Sequence, residues 1–328
     1  MKKYLLVSPF NGFGGASQAL KEAGFNIVKT YVSEVDKYAN MVYFKNFPDA
    51  IQLGDVTQIE TTTLQKIREY ADSIGAEIIF IGGSPCQGFS IIGKRKGSTT
   101  ECGIDVTSLK QYLQLKKEEF QFNGQSYLFW EYVRMKKILK PEWWLLENVN
   151  VSSEWLPMFN LTMGVDALKI NSSDFSAQNR PRMYWTNIQV NTEYPICRDM
   201  ISDILDDDAI FTNDVPNWLN KNRGNSNKKR IDLLQNKNSK ASCLTASMYK
   251  GQVAMFCTNE KQEIHRYSMS ELERLQTLPI GYTGGVSPTQ RMKMLGNGFT
   301  VGAIKHIVKN IEVGKVKLIQ TSLFEVAS

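Results

Sequence analysis

Apolar runs of strand length alternate with amphipathic helical stretches through the first 150 residues, and nothing else in the chain constrains its fold as tightly. Tyr4-Leu5-Leu6-Val7 reads as a first strand, and the loop Phe10-Asn11-Gly12-Phe13-Gly14-Gly15 follows it. A helix with Ala16, Ala19, Leu20 and Ala23 on one side comes next, stopped by Gly24. Phe25 to Val32 predicts a second strand, Tyr38 to Lys45 a helix, and Ala50 to Leu53 a short third strand. Thr63 to Ser73 is helical in pattern, and Glu77-Ile78-Ile79-Phe80-Ile81 is the next buried strand. A helix over Tyr127 to Leu139 feeds Trp143-Trp144-Leu145-Leu146. Such an order implies an α/β, doubly wound, mostly parallel sheet with helices on both faces.

Beyond residue 188 the alternation fades, then returns with a helical pattern over Ser268 to Leu278. Gly296-Asn297-Gly298 opens a last helix reaching about Asn310. Asp203 to Asp208 reads as an exposed helix end, and residues 91–125 as a long, mobile loop. His265 and His306 both stand in segments of helical pattern.

Composition sets limits on function. With 22% charged and 42% hydrophobic residues the chain is an ordinary globular protein. No apolar run approaches the roughly 20 residues that span a bilayer. The five cysteines (Cys86, Cys102, Cys197, Cys243 and Cys257) are scattered, with no C-x-x-C pair. Neither a disulfide framework nor a zinc site is expected, and a reducing compartment fits best. Two histidines make a histidine-rich metal site or a catalytic triad improbable. The net charge is +6, and residues 217–240 hold seven basic residues against one acidic, matching the whole excess. That tract is either a solvated face or a phosphate-facing surface.

Glycines between a first strand and its helix let backbone approach a ligand, and the helix amino terminus offers free N–H groups. Glu34 lies 22 residues after Gly12, at the end of the second strand, suited to ribose hydroxyls. Asp55 closes the third strand, suited to an exocyclic amine. No G-x-G-x-x-G or phosphate-loop pattern is present, which disfavours NAD and ATP. S-adenosylmethionine fits: its adenosine suits Glu34 and Asp55, and its amino-acid end suits the glycine loop. Cys86, in Gly83-Ser84-Pro85-Cys86-Gln87-Gly88-Phe89-Ser90, leaves a buried strand for a loop. It reads equally as a nucleophile or as a small buried apolar residue.

Taken together and in order, these segments resemble the DNA cytosine-5 methyltransferase family over nearly the whole chain. The match runs from Phe10–Gly15 through Pro85-Cys86-Gln87, Glu147-Asn148-Val149 and Gln178-Asn179-Arg180-Pro181-Arg182, then through Arg266–Tyr282, to Gly296-Asn297-Gly298. The resemblance implies a Rossmann-like, S-adenosylmethionine-dependent catalytic domain at 1–188 and a target-recognition domain at 189–263. Residues 264–328 would return to the catalytic domain. It implies cofactor contacts from Phe10, Gly12, Gly14, Gly15, Glu34, Val35, Asp55, Val56 and Asn297.

Catalysis would fall to Cys86, presented by Pro85 and adding to carbon 6 of a flipped-out cytosine, with Glu147 on the ring nitrogen and amine. Arg182 would bind the base's oxygen, with Arg180 in support. Gln87, Ser90, Lys94, Arg95, Arg223, Lys228 and Thr245 become candidate DNA contacts, Lys96 lying beside them. Double-stranded DNA is the implied substrate. RNA is the rival, since one branch of the fold methylates transfer RNA; a catalytically silent DNA-binding relative is another. No metal and no membrane partner is implied. The expectation is a monomeric, cytoplasmic protein of bacterial or phage source, which a cognate restriction endonuclease can accompany. Two departures stand out. Ser8-Pro9 replaces an acidic residue and leucine before Phe10, and the final turn reads Gly-Asn-Gly-Phe-Thr-Val rather than Gly-Asn-Ser-Val.

Overall fold

A computed structural model describes residues 2–85, 88–89, 98–193, 196–222 and 228–312 of the chain. The strands are β1 (Lys3–Pro9), β2 (Ile27–Ser33), β3 (Ile51–Gln52), β4 (Ala76–Gly82), β5 (Trp143–Asn148), β6 (Leu168–Asn171) and β7 (Pro181–Thr186), followed by the short β8 (Gln235–Asn236), β9 (Phe256–Thr258) and β10 (Ile264–Arg266). The helices are α1 (Gly15–Glu22), α2 (Lys37–Asn46), α3 (Thr61–Ser73), α4 (Leu109–Lys117), α5 (Leu128–Leu139), α6 (Leu156–Met163), α7 (Ile201–Ile204), α8 (Met269–Leu275), α9 (Pro288–Asn297) and α10 (Val301–Lys309).

The first seven strands form one sheet in the order β3-β2-β1-β4-β5-β7-β6. The first five run parallel, and β7 enters antiparallel between β5 and β6. The order reverses between β1 and β4, so the crevice beyond their carboxyl ends is where such sheets bind ligands. Side chains alternate across the sheet. Leu6, Ile79 and Leu145 enter one core with α1 and α10, whereas Leu5, Val7, Ile78 and Phe80 enter another with α3 and α5. Burial of both faces is why the strands read as unbroken apolar runs.

Two sequence expectations give way here. Residues 98–125 are not a bare loop: they contain α4, capped by the Ser108 side chain on Gln111 N. A buried charge cluster docks that helix. Glu131, fully buried, accepts from Tyr112 Oη (2.6 Å), Lys116 Nζ (2.5 Å) and Arg134 Nε (2.6 Å), and Lys116 also donates to the Thr57 carbonyl (2.8 Å). His265, expected in a helix, lies in β10, where Ile264, His265 and Arg266 pair antiparallel with Thr258, Cys257 and Phe256. Its ring bonds Glu271 at 2.8 Å, beside the Ser268 capping box that opens α8.

The small sheet, in the order β10-β9-β8, belongs mostly to residues 189–263. The expected boundary at 263 therefore cuts between the paired strands β9 and β10. Lys240 joins this region to the connection between β6 and β7, donating to the carbonyls of Ser173 and Ser176 and also to that of Cys197, each at 2.9 Å. No described helix is long and apolar enough to cross a membrane.

Candidate active site

A cleft of about 860 Å³ opens at the carboxyl edge of the sheet, large enough for a small organic ligand together with a nucleobase. One wall is the glycine loop after β1. Gly12 and Gly14 hold φ of +56° and +91°, left-handed backbone that favours glycine. Phe10 is half-buried against the cleft. Glu34, at the end of β2, fixes the loop: Oε2 accepts from Gly12 N at 2.8 Å, and Oε1 from Val35 N and Asp36 N at 2.8 and 2.9 Å. Asp55 lies across the cleft with Val56, its Oδ1 accepting from Thr57 N and Oγ1, both at 2.8 Å.

The closing side of the loop comes from the far end of the chain. Tyr282 Oη donates to the Phe13 carbonyl at 3.0 Å, and a Cβ on Gly298 would run into the Phe13 ring. Gly298 stands where the family's hydroxyl residue is missing, and the ring of Phe299 beside it would lie 2.9 Å from a Cβ on Gly83. Asn297 is exposed on the cleft rim. An adenosine-bearing cofactor fits these residues. Asn11 lines the cleft, 4% exposed, with neither side-chain polar atom hydrogen-bonded, and Ser84 Oγ is likewise buried and unpartnered. Buried polar groups of this kind need a partner, and a polar ligand end supplies one.

The catalytic candidates meet at the boundary of β5 and β7. Glu147 is the fifth residue of β5, pairing with Tyr184 of β7, and Arg182 is the second residue of that antiparallel strand. Reversing β7 brings its first residues to the edge where β5 ends. Arg182 Nε therefore lies 3.1 Å from Glu147 Oε1. Burial pushes the Glu147 carboxyl above its usual range, while Arg182 and Arg180 hold it back. Glu147 Oε2 faces Gly83, where a Cβ would sit 3.2 Å away, so glycine keeps the approach to the carboxyl open.

Arg180 is 2% exposed. It donates to the carbonyls of Leu244 (2.7 Å), Gly296 (3.0 Å) and Gly298 (2.8 Å). This guanidinium ties the main sheet to the segment at Leu244 and to the final turn at once. Its planar fork serves the three acceptors from two terminal nitrogens. Arg180→Ala is expected to strand three carbonyls and to lower stability by about 3 kcal/mol or more, with Arg180→Lys recovering part of it. A urea midpoint at or near wild type for the alanine variant would refute that role.

Cys86 and Gln87 lie outside the described residues, as do Ser90, Lys94, Arg95, Lys96 and Arg223. The described neighbours of Cys86 are held on both sides. Asn148 Nδ2 donates to the Ser84 carbonyl at 3.4 Å, and Pro85 lines the cleft. Beyond, Gly88 N donates to Ser126 Oγ (2.8 Å) and Ser152 N to the Phe89 carbonyl (2.9 Å). Phe89 is fully buried, its ring 5.0 Å from Phe159 and 5.5 Å from Trp155. Thr245 is half-buried: its hydroxyl donates to Gln252 at 2.6 Å, and its backbone packs on Gly296, where a Cβ would collide with it. Lys228 is exposed, far along the chain from the residues that line the cleft.

Several residues in or beside the cleft carried no signal in the sequence. Asn11 sits inside the glycine loop and Ser126 just before α5, and neither belongs to a motif of its own. Tyr249, Lys250, Gln290 and Lys293 line the outer cleft, although they come from segments about 40 residues apart.

The sequence model for C-5 cytosine-specific DNA methylase matches residues 5–154 and 158–313. Type II methyltransferase M.MspI of Moraxella sp is 24% identical over 334 residues, covering 94% of this chain and 71% of that protein. Type II methyltransferase M.Bsp6I of Bacillus sp. (strain RFL6) is 26% identical, covering 93% and 98%. In fold, the chain is similar to a mutant DNMT2 of Spodoptera frugiperda, with a TM-score of 0.64, 17% identity, and 95% and 100% of the two chains covered.

Proposed function

Since the chain belongs to the C-5 cytosine-specific DNA methylase family and is thus a DNA cytosine-5 methyltransferase using S-adenosylmethionine, we propose that it acts on an extruded cytosine through a covalent Cys86 adduct. The observation that carries this reading is the buried Glu147–Arg182 pair, 3.1 Å apart, opening on the same cleft as the glycine loop. Cytosine carbon 5 is a poor nucleophile until something adds at carbon 6. Cys86 thiolate forms that bond, and electron density moves through the ring toward nitrogen 3. Glu147, its pKa raised by burial, donates a proton at nitrogen 3 and accepts from the exocyclic amine. Arg182 binds oxygen 2 and steadies the charge that builds there.

Glu34, Asp55, Phe10 and the loop amides hold the cofactor, and Val35, Val56 and Asn297 flank it. When bound, the cofactor supplies an electrophilic methyl group to carbon 5. Water takes the proton from carbon 5, Cys86 leaves as thiolate, and nitrogen 3 returns its proton to Glu147. The base reaches Glu147 only outside the helical stack, which requires flipping. The substrate in this reading is double-stranded DNA, met by a monomer in the cytoplasm. A partner restriction endonuclease would share its target.

The test is trapping. A duplex bearing 5-fluorocytosine has no carbon 5 proton to lose, so wild-type protein with cofactor should form a denaturation-resistant adduct. Fluorinated RNA is run in parallel. Turnover of ordinary duplex with no adduct on the fluorinated one would refute the covalent route. Adduct on RNA alone would reassign the substrate.

A further inference from the structure

The basic tract of the recognition region spends much of its charge inside the fold. Lys240 holds three carbonyls, Lys237 pairs with Glu260 at 3.3 Å, and Arg230 donates to the carbonyls of Trp218, Lys221 and Asn222. Two lysines at the mouth of the cleft are different. Lys250 ends the helical turn Met248–Lys250 and is exposed; Lys293 lies on α9 and is half-buried. Their ammonium groups stand over one ring, 5.7 and 5.2 Å from the centroid of Tyr249. Among the described residues, neither has a carboxylate within ion-pair distance. Arg291, on the same helix, has taken up Glu273 at 2.9 Å. Two cations within about 6 Å of one ring centroid, with no carboxylate in ion-pair distance, make a local positive patch that suits a shared anion.

The scaffold holds this group in register with the chemistry. Gly251, at φ +78°, turns the chain back after Lys250, and the Thr245–Ala246 backbone packs on Gly296. Arg180 binds Leu244 and Gly296 together, so the turn with Tyr249 and the helix with Lys293 are fixed to the strand that bears Arg182. Tyr249, Lys250, Lys293 and Arg182 line the same cleft. We propose that Lys250, Tyr249 and Lys293 form a phosphate clamp that seats the nucleic-acid backbone beside the extruded base. The proposal deepens the methyltransferase reading and rests on its nucleic-acid substrate.

Salt dependence tests it, because each neutralised phosphate contributes about 0.9 to the slope of log K against log salt on duplex DNA. Binding of fluorescein-labelled duplex is followed by anisotropy between about 50 and about 200 mM NaCl, a range in which phosphate contacts dominate. Lys250→Gln and Lys293→Gln should each flatten the slope, and the double variant, which frees the one phosphate they share, should flatten it by about 0.9 in all. Lys250→Arg should restore it. KM for duplex should rise more than kcat falls, and calorimetric affinity for S-adenosylhomocysteine should not change. Wild-type slopes in both glutamine variants would overturn the clamp while leaving the methyltransferase reading standing. So would a loss of S-adenosylhomocysteine affinity, which would give the lysines to the cofactor's carboxylate. If wild type bound and methylated RNA but not DNA, with the same lysines flattening the slope, the clamp would stand and the DNA substrate would fall. If wild type bound no nucleic acid, both would fail.

Discussion

Cys86→Ala protein should form no adduct with a 5-fluorocytosine duplex, and its methyl transfer should fall by about 10⁴-fold or more, as when other enzymes lose a nucleophile. Two controls make the result specific. The variant should still bind S-adenosylhomocysteine, since the glycine loop, Glu34 and Asp55 are untouched. It should also still bind duplex. An adduct that survived the substitution would have to be mapped, and Cys243 is the residue to inspect first. Its sulfur lies 3.5 Å from Arg180 and 3.9 Å from Arg182, the arginine that pairs with Glu147. A covalent peptide containing Cys243 would transfer the nucleophilic role to that residue and undo the assignment of Cys86.

Glu147→Gln should reduce single-turnover methylation by about 10² to 10⁴-fold, the usual worth of a positioned acid or base. That is about 3 to 5 kcal/mol of barrier. The amide keeps the shape and can still hydrogen-bond the ring, but it has no proton to transfer. The pH dependence separates the roles. Burial raises the Glu147 carboxyl above its ordinary range, so the proton-bearing form persists to higher pH than in a free glutamate. The rate should fall as pH rises through that raised value, and this limb should vanish in the Glu147→Gln protein. A variant that keeps the wild-type profile, or loses less than tenfold, would remove Glu147 from proton transfer.

How much of this could be read from the chain alone depends on where the determining contacts lie. Strands β1, β4 and β5 were legible because burial on both faces demands unbroken apolar runs such as Leu5-Leu6-Val7 and Trp143-Trp144-Leu145-Leu146. The glycine loop, Glu34 and Asp55 were legible because strand ends of one sheet share an edge. Helix α4 was not: Leu109–Lys117 is mostly polar, and only Tyr112 and Leu115 are buried, drawn in by the charge cluster around Glu131. His265 was misassigned because a three-residue strand takes its conformation from its partner Cys257, beyond any local periodicity. Arg180 was visible as a motif member, but its three carbonyl partners are set by tertiary packing. The grouping of Lys250 with Lys293 leaves no linear trace.

The Arg180 clasp also bears on how specificity could be re-engineered in a chain of this kind. Any foreign segment grafted in place of residues 189–263 would need to offer a backbone oxygen where Leu244 offers one now. Chimaeras should therefore be spliced outside Cys243–Ala246, keeping that tetrapeptide native. A graft that replaced it would leave Arg180 without the Leu244 carbonyl and loosen the cleft beside Glu147, whatever new contacts the graft brought.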